Sequence, residues 1–526
     1  MNGLVGSAVR WLTPPRAVVL VAILYAVVAA VVVGLDRQVR WDEVTYLAQV
    51  TPGAHDVWFG PQRARGMTLV LAPVGLLGGS TLLLRVWLVA VHAVAMVVAF
   101  RPWAQQVGWT GVAGAAVTAL SWVPLYFAVE GYPNLLVGFL AVAMAGHVLI
   151  WGREGRTGNL VIAAAALAGV ALLRPTESVW LAAGLTLVVV VWKRRDAARP
   201  IVAFLAGGFV GWLPWLVEGI VRFGGPVTRV EAARATSAAG EPRNSLIQYL
   251  NLVEGPVRRV VPDPVLTGPA LLLLLGLAAL IVLGVVGGRD RQRRAAAVIA
   301  MVPAVTMVVP YLVLNAGINL RYILPGMLLA TVAVGAGLVT LITTIVQHRS
   351  RLAGAALAAV LLVHVGWQLG LAGTNSDAIA PLQARPAPLG ESLAEAADGQ
   401  LCAFLSNVQW PEIQWHSGCK GEVLHFDAPL LQCHDARRDL AALAEDGYRV
   451  FVLARGEPPF SPVVEGWPVE QLDQPEDGVW RLYERPAELG PNDAPTIPAV
   501  TDSPTPCPPS RAPDTAATEL EFRWRR

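Results

Sequence analysis

Long apolar runs separated by short polar breaks fill the first 372 residues and then stop. A helix needs about 20 residues at 1.5 Å per residue to cross a hydrocarbon core of about 30 Å. Runs of that order lie at 17–35, 81–100, 111–129, 134–151, 158–173, 177–192, 200–222, 268–287, 295–315, 322–346 and 352–372. The pattern predicts about eleven transmembrane helices. The apolar stretch from Met67 to Gly79, interrupted by Pro73 and a double glycine, is too short to cross and is expected to lie flat at the interface.

The cations set a direction, because Lys and Arg resist translocation. Arg10 and Arg16 precede the first run and Arg101 follows the second. Arg153 and Arg156, Lys193 to Arg199, Arg289 to Arg294, and Arg349 with Arg351 follow the fourth, sixth, eighth and tenth. Every even-numbered exit is basic, which supports the count independently of hydropathy. The amino terminus is therefore expected in the cytoplasm, with the first run kept as an anchor because no small-residue cleavage site flanks it. The loops at 36–80 and 223–267, and everything from 373, are then expected outside.

Composition agrees with this class. The chain is 55% hydrophobic and 15% charged, too few polar groups to cover a soluble protein of 526 residues. A net charge of +2 gives no reason to expect a nucleic-acid partner. No strand, glycine-rich loop and helix unit is present, which argues against a cytoplasmic nucleotide-sugar enzyme.

The chain changes character at Gly373. Leu401–Leu405, Arg449–Leu453 and Gly478–Tyr483 read as short strands, with a helix expected at 435–445, so a small α/β domain is predicted within 373–486. Residues 487–526 are rich in Pro and Thr and are expected to be a disordered tail. Cys402, Cys419, Cys433 and Cys507 all fall on the expected exterior side, which suits disulfides. Four cysteines allow three full pairings, and a zinc site including His416 or His434 is an alternative use.

The candidate chemistry gathers at run boundaries. Trp41-Asp42-Glu43-Val44-Thr45-Tyr46 places two acids just after the first run, where carboxylates are costly to desolvate and useless as packing. Leu76-Leu77-Gly78-Gly79-Ser80 leads into the second run and its Arg85. Glu130-Gly131-Tyr132-Pro133-Asn134 precedes the fourth, Leu173-Arg174-Pro175-Thr176 joins the fifth to the sixth, and Leu320-Arg321-Tyr322-Ile323-Leu324-Pro325 opens the tenth.

In order and placement these motifs resemble the GT-C integral membrane glycosyltransferases, especially the branch of protein O-mannosyltransferases and aminoarabinose transferases, over residues 10–345. The resemblance implies a polytopic helical module at 1–372 and transfer of a sugar from a polyprenyl-phosphate carrier to a hydroxyl on the outer face of the cytoplasmic membrane. It implies Asp42 as general base, with Glu43 orienting the acceptor or an arginine. Arg174, Arg321 and Tyr322 are expected to hold the donor phosphate. Tyr46, His55, Asp56, Arg63, Arg65, Glu130 and Asn134 are candidate sugar or acceptor contacts. Direct inversion needs one base and a phosphate leaving group, so no second catalytic carboxylate is required. A divalent metal, used by some relatives, is not expected, since no ligand cluster is visible and a monophosphate carries less charge than a pyrophosphate. The His-Pro-Pro triplet common in the nearest branch is absent, so mannose, arabinofuranose or a related pentose remain open as sugars, and an envelope glycan, lipid or protein as acceptor. A transporter or lipid flippase is the rival class, but transporters place ionisable groups near the bilayer midplane in repeated halves, whereas here the middle of most runs is bare of charge and no internal repeat is visible.

Overall fold

The computed structural model describes residues 12–54, 57, 59–236, 246–255, 267–287, 290–313, 319–406, 410–423, 443–455, 467–474 and 478–486. The chain divides into two compact units. One comprises Met1–Arg37, Gly60–Val74 and Gly79–Ala380, and the other Gln38–Phe59, Gly75–Gly78 and Pro381–Arg526. The loop at 36–80 is thus shared between units, and the helix Arg351–Ala384 runs on past the expected domain boundary at 372.

In the first unit every expected run is helical. Among the described residues nine helices are long and apolar enough to cross a membrane, and the other two runs fall short of that length. The run expected at 111–129 is broken into Trp109–Leu120 and Trp122–Phe127, with Ser121 extended between them. Pro124 explains the break: its ring would collide with the Leu120 carbonyl in a continuous helix. The fifth run forms Thr157–Leu173, which stops two residues before Pro175. The stretch expected at the interface forms the helix Gly66–Leu76, with Pro73 inside it.

Pro133–Glu154 is the central helix, with 89% of its apolar window buried, against 28% for Ala198–Phe223. Small residues let neighbours close in on one another, as dispersion-driven packing in lipid requires. Gly207 and Gly211, one turn apart, press on the backbone of Ala164 and Ala168, and a Cβ at either glycine would overlap those carbonyls. Gly335 meets Thr110 and Gly114 in the same way, seating Leu320–Gln347 against Trp109–Leu120.

The second unit contains a five-stranded sheet ordered β2-β1-β3-β5-β4, with β1 Cys402–Ser406, β2 Lys420–Val423, β3 Arg449–Arg455, β4 Val469–Gln474 and β5 Gly478–Glu484. β1 is parallel to both β2 and β3, while β5 is antiparallel to β3 and β4. Three of these strands are those the sequence predicts; β2 and β4 are additional. Ala403, Leu405, Val450, Val452, Ala454, Trp467 and Tyr483 pack together as a core. A disulfide joins Cys402 to Cys419, choosing among the open pairings and removing the zinc alternative for that pair. Cys433, Cys507, His434, most of the expected helix at 435–445 and the 487–526 tail lie outside the described residues.

Candidate active site

Proline chemistry builds the site in the first unit. A residue before proline is pushed out of the helical region, so Pro175 leaves Arg174 extended at φ −150°, ψ 93°, and Pro133 does the same to Tyr132 at φ −98°, ψ 142°. Both residues become helix N-caps rather than parts of a helix wall. The third start, Leu320–Gln347, is capped by the Asn319 side chain, which accepts from the Arg321 backbone N–H at 3.1 Å.

Around these starts lies a cluster of arginine and tyrosine. The Arg174 guanidinium is 3.4 Å from Oε1 of Glu177, donates to the Tyr311 hydroxyl at 3.3 Å and lies 5.4 Å from the Tyr322 ring centre. Tyr311 donates to the same Glu177 oxygen, and its ring stacks on Tyr322 at 5.4 Å. Arg321 lies over Tyr132 at 4.4 Å and over Tyr322 at 5.2 Å. Tyr322 is therefore shared by both guanidinium groups. The sequence-expected residues Arg174, Arg321 and Tyr322 come together here, with Glu177 paired to Arg174. Guanidinium groups held against aromatic rings lose little freedom on forming paired hydrogen bonds, which suits them to phosphate. Glu177, Tyr311 and Tyr132 complete the cluster and were not among the expected site residues.

Glu130 and Asn134 sit differently. Glu130 forms a fully buried ion pair with Arg37 at 3.1 Å, and Arg37 donates to the Tyr126 hydroxyl at 3.2 Å. Arg85 donates to the Arg37 and Val129 carbonyls at 3.0 and 2.7 Å, tying the two chain segments together. Gly138 faces Pro325 and Leu328. Asn134, one turn earlier on the same stripe, therefore faces the first turns of Leu320–Gln347. It is 1% exposed, and neither amide atom is hydrogen-bonded.

Arg65 joins a separate cluster centred on Glu218, donating to its Oε1 at 3.0 Å alongside Arg222 at 3.1 Å, while Arg229 forms an ion pair with its Oε2 at 2.8 Å. Arg229 also holds the loop, donating to the Pro61 carbonyl at 3.0 Å and the Arg63 carbonyl at 2.9 Å. Burial lowers the Arg229 pKa, with Glu218 opposing the shift.

Asp42 and Glu43 belong to the second unit, on the helix Trp41–Leu47. The neighbours divide. Glu43 is buried, and its Oε2 accepts from the Arg40 backbone N–H at 2.9 Å, so it caps its own helix. Asp42 is half-buried and shares a face with Tyr46, four residues on. Tyr46 is buried with its ring edge-on to Phe59 at 6.0 Å. This helix packs on Trp410–Ser417 of the same unit. His55 and Asp56 lie outside the described residues. No group of three His, Cys, Asp or Glu side chains placed to hold a metal occurs among the described residues.

No protein-family model matches the sequence, and no curated protein is similar to it. Solved structures are similar. ArnT from Cupriavidus metallidurans in the apo state superposes with a TM-score of 0.61 at 15% identity, over 92% of this chain and 99% of ArnT. The same protein bound to undecaprenyl phosphate gives 0.60 at 14% identity, over 90% and 98%. At such identity the likeness concerns architecture: this chain has the fold of ArnT.

Proposed function

We propose that this chain is a membrane glycosyltransferase that moves a sugar from a polyprenyl-phosphate carrier to a hydroxyl acceptor on the outer face of the cytoplasmic membrane. The observation that carries this reading is the pair of guanidinium groups of Arg174 and Arg321 on the Tyr322 ring, in a fold whose ArnT example is bound to undecaprenyl phosphate. The alternation of basic exits supports the outward orientation.

In this reading the acceptor oxygen attacks the anomeric carbon as the bond from that carbon to the phosphate oxygen breaks. The electron pair leaves on the phosphate, where Arg174 and Arg321 offset the developing charge. The acceptor proton passes to the carboxylate of Asp42, a general-base step worth about 10²–10⁴-fold. Glu43 holds the turn that presents Asp42. The two arginines do the work a divalent cation does elsewhere, so the reaction proceeds without metal.

Purified protein in nanodiscs, given a polyprenyl-phosphoryl sugar, is expected to release polyprenyl phosphate only when an acceptor is present. Movement of the intact sugar lipid between leaflets with no bond broken would replace this reading with the flippase alternative.

A further inference from the structure

Four helix ends of the first unit meet far from the arginine and tyrosine cluster. Arg174 caps the start of Pro175–Trp192, and the 18 residues of that helix carry its other end about 27 Å away. There the Trp192 ring lies on Gly152, where a Cβ would overlap it, so Pro133–Glu154 and Pro175–Trp192 finish side by side. Arg153 fastens two more ends, donating to the Gln106 carbonyl of Thr81–Val107 at 2.9 Å and to the Gln292 carbonyl of Arg291–Val313 at 3.3 Å.

Basic stretches remote in the sequence thereby share one surface. Arg156 pairs with Glu154 at 3.4 Å and Arg293 with Asp290 at 3.2 Å. Lys193, Arg194, Arg195, Arg291 and Arg294 remain, with Asp196 the acid among them. All but Lys193 are exposed, and Lys193 lies over the Trp192 ring at 5.4 Å. Helix dipoles do not account for this, since Arg291, Arg293 and Arg294 crowd a first turn that holds no acid and whose positive end repels cations. The positive-inside rule asks for cations in each loop, not for their convergence around an indole. Leu187, Val190 and Val191, within two turns of Lys193, are exposed, so an apolar flank adjoins the cations. A free anion has no use for that flank; a phospholipid uses both, with its phosphate on the cations and its chains along the helix. Resting on the orientation in the reading above, which turns this end to the cytoplasm, we propose that the patch binds an anionic phospholipid headgroup of the inner leaflet. Because the cations come in two groups, 193–195 and 291–294, a headgroup with two phosphates, as in cardiolipin, is held more tightly than one with a single phosphate.

Native mass spectrometry of the full chain in neutral detergent, titrated with cardiolipin, phosphatidylglycerol or zwitterionic phosphatidylcholine, tests this. Cardiolipin is expected to bind most tightly and phosphatidylcholine least. Each cation near such a surface contributes about fivefold, so replacing Lys193, Arg194 and Arg195 together by Gln should weaken cardiolipin binding about a hundredfold. Arg291→Gln with Arg294→Gln should weaken it about 25-fold, and this pair carries the test if the triple variant inserts poorly. Phosphatidylcholine bound as tightly as cardiolipin, or both variants within about twofold of wild type, would overturn the proposal. So would displacement of cardiolipin by millimolar inorganic phosphate, which would assign the patch to a free anion. Neither variant touches the arginine and tyrosine cluster, so both should release polyprenyl phosphate at the wild-type rate in detergent. Cardiolipin held as expected by a wild-type protein that releases no polyprenyl phosphate would support the patch and count against the donor reading alone.

Discussion

Replacing Arg321 by Ala removes a guanidinium lying 4.4 Å from Tyr132 and 5.2 Å from Tyr322. Two energies separate in this variant. The fold loses two cation–π contacts, about 0.5–2 kcal/mol each depending on desolvation, which a helical membrane unit of this size should survive. The donor phosphate loses a charged hydrogen-bond partner, about 1.5–3 kcal/mol. Full Coulombic attraction at 4 Å in an effective dielectric near 20 sets a ceiling of about 4 kcal/mol. At 1.4 kcal/mol per decade, the dissociation constant for polyprenyl phosphate should rise roughly 10- to 140-fold. Arg321→Lys keeps the charge but loses the planar guanidinium that lies against two tyrosine rings, so its loss should be intermediate. Titration of detergent-solubilised protein with polyprenyl phosphate, with thermal unfolding as the control for folding, measures both terms. A folded Arg321→Ala protein that binds the lipid within about twofold of wild type would refute the reasoning and leave Arg321 as a headgroup anchor.

Three further outcomes are expected. Arg174→Met alone should destabilise by about 3–5 kcal/mol, because it strands the fully buried Glu177 carboxylate, and adding Glu177→Gln should recover most of the loss; additive losses in unfolding measurements would contradict the coupling. Serine at both Cys402 and Cys419 should lower the stability of the carboxyl-terminal unit by about 3 kcal/mol, the chain-entropy term for a loop closed across 17 positions, and an unchanged unfolding transition would count against it. Turnover should survive a strong chelator; loss restored by added magnesium or manganese would show that the arginines do not suffice.

Much of the architecture is legible in the apolar pattern, because a helix in lipid must satisfy its backbone internally and therefore announces itself by length. The break at Ser121 was also within reach, since Pro124 forbids a continuous helix there. So was the exposure of Arg174 as a cap, written in the Pro175 that follows it. Partners distant in the chain are another matter. Glu177 reads locally as an acid in a first helical turn, an ordinary dipole partner, and only the fold brings Tyr311 to it from 134 positions away. Arg37 reads as a boundary cation, yet it closes on Glu130 and pins a residue expected to touch sugar. Asp42 and Glu43 look alike in the sequence, yet in the structure Glu43 is buried and accepts from the Arg40 backbone N–H while Asp42 is half-buried. The edge strands β2 and β4 were missed because neither Lys420–Val423 nor Val469–Gln474 carries a strong β-branched or aromatic alternation.

The general-base assignment to Asp42 is tested most directly by acceptor-dependent release of polyprenyl phosphate from Asp42→Asn protein, with Glu43→Gln in parallel. Gln at the third helical position retains the cap, so Glu43→Gln should turn over near the wild-type rate. Asp42→Asn should bind polyprenyl phosphate normally and release it about 10²–10⁴-fold more slowly than wild type. Wild-type release by Asp42→Asn would contradict the account.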